Sequence, residues 1–131
     1  MMTEEKAIGG VYLKVKVVER KWNIVSDEIE AVLNKVIYIA KKYVDDDNII
    51  TTYYHETWGS CREWKLLVTD VQGNYLPGEW IDRSSHRNVR KYKVTKISDL
   101  PSEVKVYYFE SPSCNKSKRF SFLVIADVIK Q

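Results

Sequence analysis

A chain of 131 residues, 44% hydrophobic and 30% charged, is long enough to bury one core without metal or disulfide staples and too apolar for a disordered polymer. Val and Ile outnumber Leu, and nine Tyr and four Trp join them, a set that fits a pleated, half-buried surface. The net charge of +3 is uneven: residues 1–60 hold eight Lys and Arg against ten Asp and Glu, a net −2, and residues 61–131 hold thirteen against eight, a net +5.

Residues 1–10, "MMTEEKAIGG", read as a flexible lead-in with neither the basic nor the apolar region of a secretory signal. "VYLKVKVVER" (11–20) alternates Val11, Leu13, Val15 and Val17 with Lys14 and Lys16, the period of a half-buried strand. Ser26 then caps a helix predicted over 27–44, opened by Asp27, Glu28 and Glu30 and closed by Lys41 and Lys42, charges that suit the two ends of a helix dipole. Ile29, Val32, Leu33, Val36, Ile37, Ala40, Tyr43 and Val44 give it one apolar stripe. The acidic run at 45–48, "DDDN", reads as a solvated connector or as an ion-pair partner of the basic half, because contiguous carboxylates diverge and lack the alternating ligands of a calcium loop.

The remainder reads as sheet. Segments 48–58 and 62–70 flank Gly59-Ser60 as a hairpin, and "VQGNYLPGEWIDRSS" is predicted as a long loop in which Trp80 folds over the core as a lid or stands out as an interface anchor. Strands follow at 88–97 and 103–110, and a final strand at 119–129 is apolar on both faces and therefore placed centrally. The expectation is a single α+β domain over 1–131, of order β-α-β-β-β-β-β, in which a mainly antiparallel sheet of five to six strands packs one face on the helix. A single helix covers only one face of such a sheet. Lys14, Lys16, Lys65, Lys91, Lys93 and Lys105 are then expected together on the other, with Tyr12, Tyr107 and Phe109.

The stretch "DRSSHRNVRKYKVTK" (82–96) carries Arg83, Arg87, Arg90, Lys91, Lys93 and Lys96 with no acid after Asp82. Alternating lysines are the ordinary means of keeping a sheet face soluble. The functional reading is a phosphate-tracking surface: Arg83, His86, Arg87, Arg90, Lys91 and Lys93 on the backbone, with Tyr107 as a stacking surface and Tyr92 turned to the core beside Val94. "NKSKR" (115–119) adds Lys116, Lys118 and Arg119 as a second patch. The partner so implied is DNA or RNA, bound with little sequence preference and without catalysis. The alternative partner is a second copy of the chain, meeting it through Leu67, Phe109, Leu123 and Ile125 or through the Trp80 loop.

Other chemistry is thinly supported. "HET" at 55–57 resembles half of the paired histidine signature of the two-histidine phosphoesterases, but His86 is followed by Arg87-Asn88 rather than by the second half. Cys61 and Cys114 lie in no CxxC pair, so the expectation is two free thiols, a bridge between them being the alternative in a hyperthermophile. Cys61, Cys114, His55 and His86 lack zinc spacing; no cofactor and no metal is expected. The longest apolar run, "FLVIADVI", is interrupted by Asp127 and is too short to span a bilayer, so a cytoplasmic protein without a membrane partner is expected. A helix laid over an antiparallel sheet resembles the cystatin-like architecture in outline. In composition the chain resembles the small orphan proteins of crenarchaeal viruses and their hosts, which implies a hot intracellular setting, host cytoplasm if viral, and a role in host takeover, genome handling or assembly.

Overall fold

The computed structural model describes Val11–Lys16, Leu33, Val36 and residues 48–130. Seven strands form one sheet: β1 (Val11–Lys16), β2 (Ile49–Trp58), β3 (Arg62–Thr69), β4 (Glu79–Asp82), β5 (Asn88–Lys96), β6 (Glu103–Ser111) and β7 (Phe120–Lys130). The spatial order is β1-β7-β6-β3-β2-β5-β4, and every neighbouring pair is antiparallel. Two 3-10 turns, Ile97–Asp99 and Lys116–Lys118, complete the regular structure among the described residues.

This corrects the α+β expectation. The described residues form a nearly all-β fold of seven strands rather than five or six, with no helix of seven or more residues among them. The helix expected over 27–44 lies outside the described residues except for Leu33 and Val36, which have helical backbone and are buried in the core cluster. Among the described residues the rest of that cluster comes from the strands and from Leu76 and Leu100 in the loops. The seventh strand was invisible because β4 is four residues long, with three of them exposed, too short for alternation to declare itself. It reaches the sheet edge through Gly78, where a Cβ would stand 1.9 Å from the carbonyl oxygen of Val94. The final strand, expected at the centre, sits one place in from the edge, paired to β1 on one side and β6 on the other.

Alternation sorts each strand onto two faces. On the core face the cross-strand partners Tyr92, Tyr54, Leu66, Tyr108 and Phe122 form a continuous buried row. Tyr108 and Phe122 pack with ring centroids 5.7 Å apart, and Tyr54 and Tyr92 with theirs 6.4 Å apart. The Tyr108 hydroxyl donates to Glu110 Oε1 at 2.9 Å; burial, reinforced by that carboxylate, pushes its phenol well above the ordinary tyrosine range. A bulge at Thr52 interrupts the β2–β5 register, and its hydroxyl bonds that of Thr95 at 2.6 Å, which satisfies both buried groups.

Topology divides the sheet lengthwise. The β2–β3, β4–β5 and β6–β7 connections join strands that are neighbours, so each is a local hairpin. The β3–β4 and β5–β6 connections join strands that are not neighbours and cross at the opposite end. The three hairpin loops therefore stand side by side along one end of the sheet. From β7 to β4 that end spans six strands, about 24 Å at the usual interstrand spacing.

Candidate nucleic-acid interface

The hairpin end is where the cations collect. The hairpin loops 59–61, 83–87 and 112–119 hold Arg83, Arg87, Lys116, Lys118 and Arg119, five cations with no acid, and His86 besides; Arg62, the first residue of β3, adds a sixth cation. All seven side chains are exposed. The described crossover loops, 70–78 and 97–102, hold Asp70 and Asp99 and no cation. Acids stand at the adjoining strand ends: Asp82, the last residue of β4, is exposed, and Glu56, Glu63 and Glu110 lie one or two residues in from the ends of β2, β3 and β6, each half-buried.

Each loop is built rather than slack. In the 83–87 loop the Arg83 N–H donates to the Arg90 carbonyl at 2.8 Å, and the Ser85 N–H to the Asn88 carbonyl at 2.7 Å. The Ser84 N–H bonds Asp82 Oδ1 at 2.8 Å, and the Ser84 hydroxyl oxygen accepts from the Arg90 N–H at 3.2 Å. The Asp82 carboxyl is held below the usual range by its hydrogen bonds to Ser84, with help from Lys91. The backbone donors of Arg83, Ser84 and Ser85 are thus engaged internally, and the side chains of Arg83, His86 and Arg87 are exposed. In the 112–119 loop Asn115 caps the 3-10 turn, its side chain accepting from the Ser117 N–H at 3.0 Å and from the Ser117 hydroxyl at 2.8 Å. Gly59, at φ +66°, makes the tight β2–β3 turn.

A disulfide joins two of these loops. Cys61 in the β2–β3 turn is bonded to Cys114 in the β6–β7 loop, 53 residues away, so the expected free thiols are corrected to a bridge. The reason is the register: Glu63 stands opposite Ser111 on the last rung of β3–β6, and both cysteines lie just past it. The Ser111 hydroxyl sits beneath the bridge, within hydrogen-bond reach of the Cys61 carbonyl at 2.9 Å and the Ser113 carbonyl at 3.2 Å.

The other sequence-predicted residues scatter. Lys91 is exposed on the face away from the core, opposite His55 on one side and Asp82 on the other. Arg90 lies on the core face opposite Glu56 and is only half-exposed. Lys93 is buried, at 8% exposure, with its ammonium 5.0 Å from the Trp80 ring and 5.5 Å from Tyr75. There it is the floor of an aromatic cluster with Tyr53, which packs edge-on to Trp80 at 4.9 Å, and no phosphate reaches it. Trp80 therefore packs on the sheet's second face instead of closing over the core as a lid. Tyr107 is half-buried at mid-sheet between Leu67 and Leu123, far from the hairpin end, with its phenol raised by burial. Lys65 and Lys105 share its face, and Lys14 and Lys16 stand in register with Asp127 and Ile125, their side chains being outside the described residues.

Two residues at this end escaped the sequence reading. Trp58 is 40% exposed at the tip of β2, and the Arg62 guanidinium sits 5.7 Å from its ring. The signal was available: a Trp and an Arg four apart across a Gly-Ser turn face each other if the turn is tight. The two histidines have separate settings: His55 Nε2 bonds Glu63 Oε2 at 2.7 Å on β2, while His86 is exposed on the 83–87 loop. Among the described residues no three of His, Cys, Asp and Glu gather as metal ligands would, and no helix is long and apolar enough to cross a membrane. No family model matches the chain, and no curated protein or solved structure is similar to it.

Proposed function

We propose that this chain is a small non-enzymatic nucleic-acid-binding protein that holds a phosphate backbone across the hairpin end of its sheet, with little sequence preference. The observation that supports it is the gathering of five exposed cations and no acid on three adjoining loops, with Arg62 beside them at the start of β3. Arg83, Arg87, Lys116, Lys118 and Arg119 serve as phosphate contacts, His86 as an added hydrogen-bond donor, and Trp58 as the stacking surface in place of Tyr107. At 3.4 Å per stacked nucleotide the end accommodates about seven nucleotides of one strand. Asn115 Oδ1 is taken up by Ser117 and Asp82 Oδ1 by Ser84 within their own loops, in keeping with weak sequence preference.

The test is a fluorescence-anisotropy titration with single- and double-stranded DNA and RNA over a salt series. Affinity is expected to fall steeply with salt, and the variant Arg83→Ala, Arg87→Ala, Lys116→Ala, Lys118→Ala is expected to flatten the slope by about four units. Absence of binding to all four probes at low salt sinks the proposal.

A second reading, a homodimer, rests on a different place: Tyr75 at 58% and Trp80 at 51% exposure form an aromatic patch beside the sheet edge. Such an interface survives 0.5 M salt, at a Debye length of roughly 4 Å, whereas phosphate contacts do not. A monomeric mass by light scattering at high protein concentration removes it.

A further inference from the structure

The hairpin end carries three of its five loop cations on the 112–119 segment: Lys116, Lys118 and Arg119. The hydrogen bonds described within that segment are internal ones. The Asn115 N–H donates to Ser113 Oγ at 3.2 Å, Asn115 caps Ser117, and the Lys118 and Arg119 N–H groups bond the Asn115 and Lys116 carbonyls at 3.0 and 3.2 Å. Such bonds give the segment a shape, and the Glu110–Phe120 pairing holds its two ends, but neither ties it to the β2–β3 turn. Past the last β3–β6 rung, the ties described from this segment to its neighbour are the Cys61–Cys114 bond and the Ser111 hydroxyl at the Cys61 carbonyl. Cys114 is exposed, so the bridge is open to a thiol from solvent.

We infer that the Cys61–Cys114 disulfide is a thiol-responsive clamp: closed, it holds the 112–119 loop beside the β2–β3 turn so that its three cations align with Arg62, Arg83 and Arg87; opened, it releases them. The inference rests on the nucleic-acid reading of this end and names its regulation. The physical link is preorganisation. A phosphate strand bound by cations already in line loses less conformational freedom than one that must first gather a free loop.

Opening proceeds by exchange with a dithiol. One of its thiolates attacks Cys114 Sγ, the sulfur–sulfur bond breaks, and Cys61 leaves as a thiolate. The second thiolate then attacks the mixed disulfide, releasing Cys114 as a thiolate and leaving the reductant as a cyclic disulfide. Two electrons pass from the dithiol to the protein, and the two cysteines take up protons according to their pKa.

The experiment compares three preparations of the full chain: oxidised, reduced with dithiothreitol, and the double variant Cys61→Ser, Cys114→Ser. Each is checked for folding by circular dichroism at the temperature used, because losing a bridge also relaxes the unfolded chain. Affinity is read by anisotropy with a single-stranded DNA oligonucleotide at low salt, and amide hydrogen exchange is followed at residues 115–119 and at Val106 and Val124. The expected result is five- to tenfold weaker binding when reduced, the same loss in the double variant, and recovery on reoxidation of the wild type alone, an order-of-magnitude figure for lost preorganisation, about one cation-bearing loop. Exchange is expected to quicken at 115–119 and to stay slow at Val106 and Val124. Equal affinity in the oxidised and reduced states overturns the clamp and leaves the nucleic-acid reading standing. Absence of binding in every state overturns both. Faster exchange at Val106 and Val124 as well overturns a local clamp in favour of general loosening.

Discussion

The two ends of the sheet are built from the same strands and differ in how the chain turns at them. At one end three hairpins return each strand to its neighbour, and their loops carry five cations and no acid, with Arg62 at the start of β3 as a sixth cation. At the other, two crossovers pass over intervening strands, and the described loops carry Asp70 and Asp99 and no cation. The hairpin loops contribute no residue to the described core cluster and leave their cations exposed. A crossover lies against the sheet end, so it contributes Leu76 and Leu100 to the core. The lesson concerns charge: an excess that looks like a property of the C-terminal half of the chain is a property of one end of the fold.

The largest effect expected from this contrast is on binding. Arg87→Glu with Lys118→Glu should weaken nucleic-acid binding about a hundredfold at 50 mM salt, since each lost contact removes a counterion-release term and adds repulsion. Asp99→Lys with Ser102→Lys, both at exposed positions of the crossover end, should leave the affinity within about threefold. If the crossover variant binds as much more tightly as the hairpin variant binds less, overall charge governs and the contrast between ends collapses.

Next comes a backbone effect confined to the crossover end. Gly78→Ala brings a methyl group against the Val94 carbonyl, at a position where a Cβ would lie 1.9 Å from that oxygen, so β4 must move off β5. A loss of about 2 kcal/mol or more in urea unfolding is expected, with the loss of slow exchange along β4 as its local signature. An Ala variant as stable as wild type would show that the edge strand is not held as closely as described.

Lys93 sharpens the comparison between an end cation and a face cation. Lys93→Ala should cost about 1 kcal/mol of stability, from the lost contacts to Trp80 and Tyr75 and the exposed gap beneath them, and should leave the salt slope of binding unchanged. A lower salt slope in this variant would return Lys93 to the phosphate-binding set.

The smallest effect is a pH response of the crossover loop. Asp70 accepts from the Asn74 N–H at 2.9 Å, the Asn74 side-chain amide at 3.1 Å and the Gln72 N–H at 3.0 Å, and these bonds, led by those from Asn74, hold its carboxyl below the ordinary range. A lowered folded pKa makes the contribution full above the unfolded value, about 3.9, and lost as pH falls through the folded one. The Asn74 amide resonance should therefore titrate with a midpoint below 3.9 (approximately the free-aspartate value), and Asp70→Asn should abolish that titration. A midpoint at or above the free value would mean the carboxylate is not engaged.

Much of the sheet is legible locally. Alternation along "NVRKYKVTK" turns Tyr92 and Val94 to the core, where they are 1% and 7% exposed, and Gly59-Ser60 marks the β2–β3 turn. Of the candidate site, Arg83, Arg87, Lys116, Lys118 and Arg119 were named from two separate basic runs, and nothing in either run says that they share an end. Arg90 and Lys93 sit in the same run as Arg87, and alternation alone does not distinguish a lysine on a wet face from one roofed by Tyr75 and Trp80.

What the sequence by itself determined is therefore the period, the turns and the presence of two basic loops, because these depend on residues within a few positions of one another. What the tertiary structure alone decided is the strand order, and with it everything that order brings together: the β4 edge, the bridge between Cys61 and Cys114, the burial of Lys93, and three hairpin loops along one end. Those depend on pairings such as β2 with β5 and β3 with β6, between residues some 40 positions apart, whose choice rests on the fit of whole faces rather than on any local pattern.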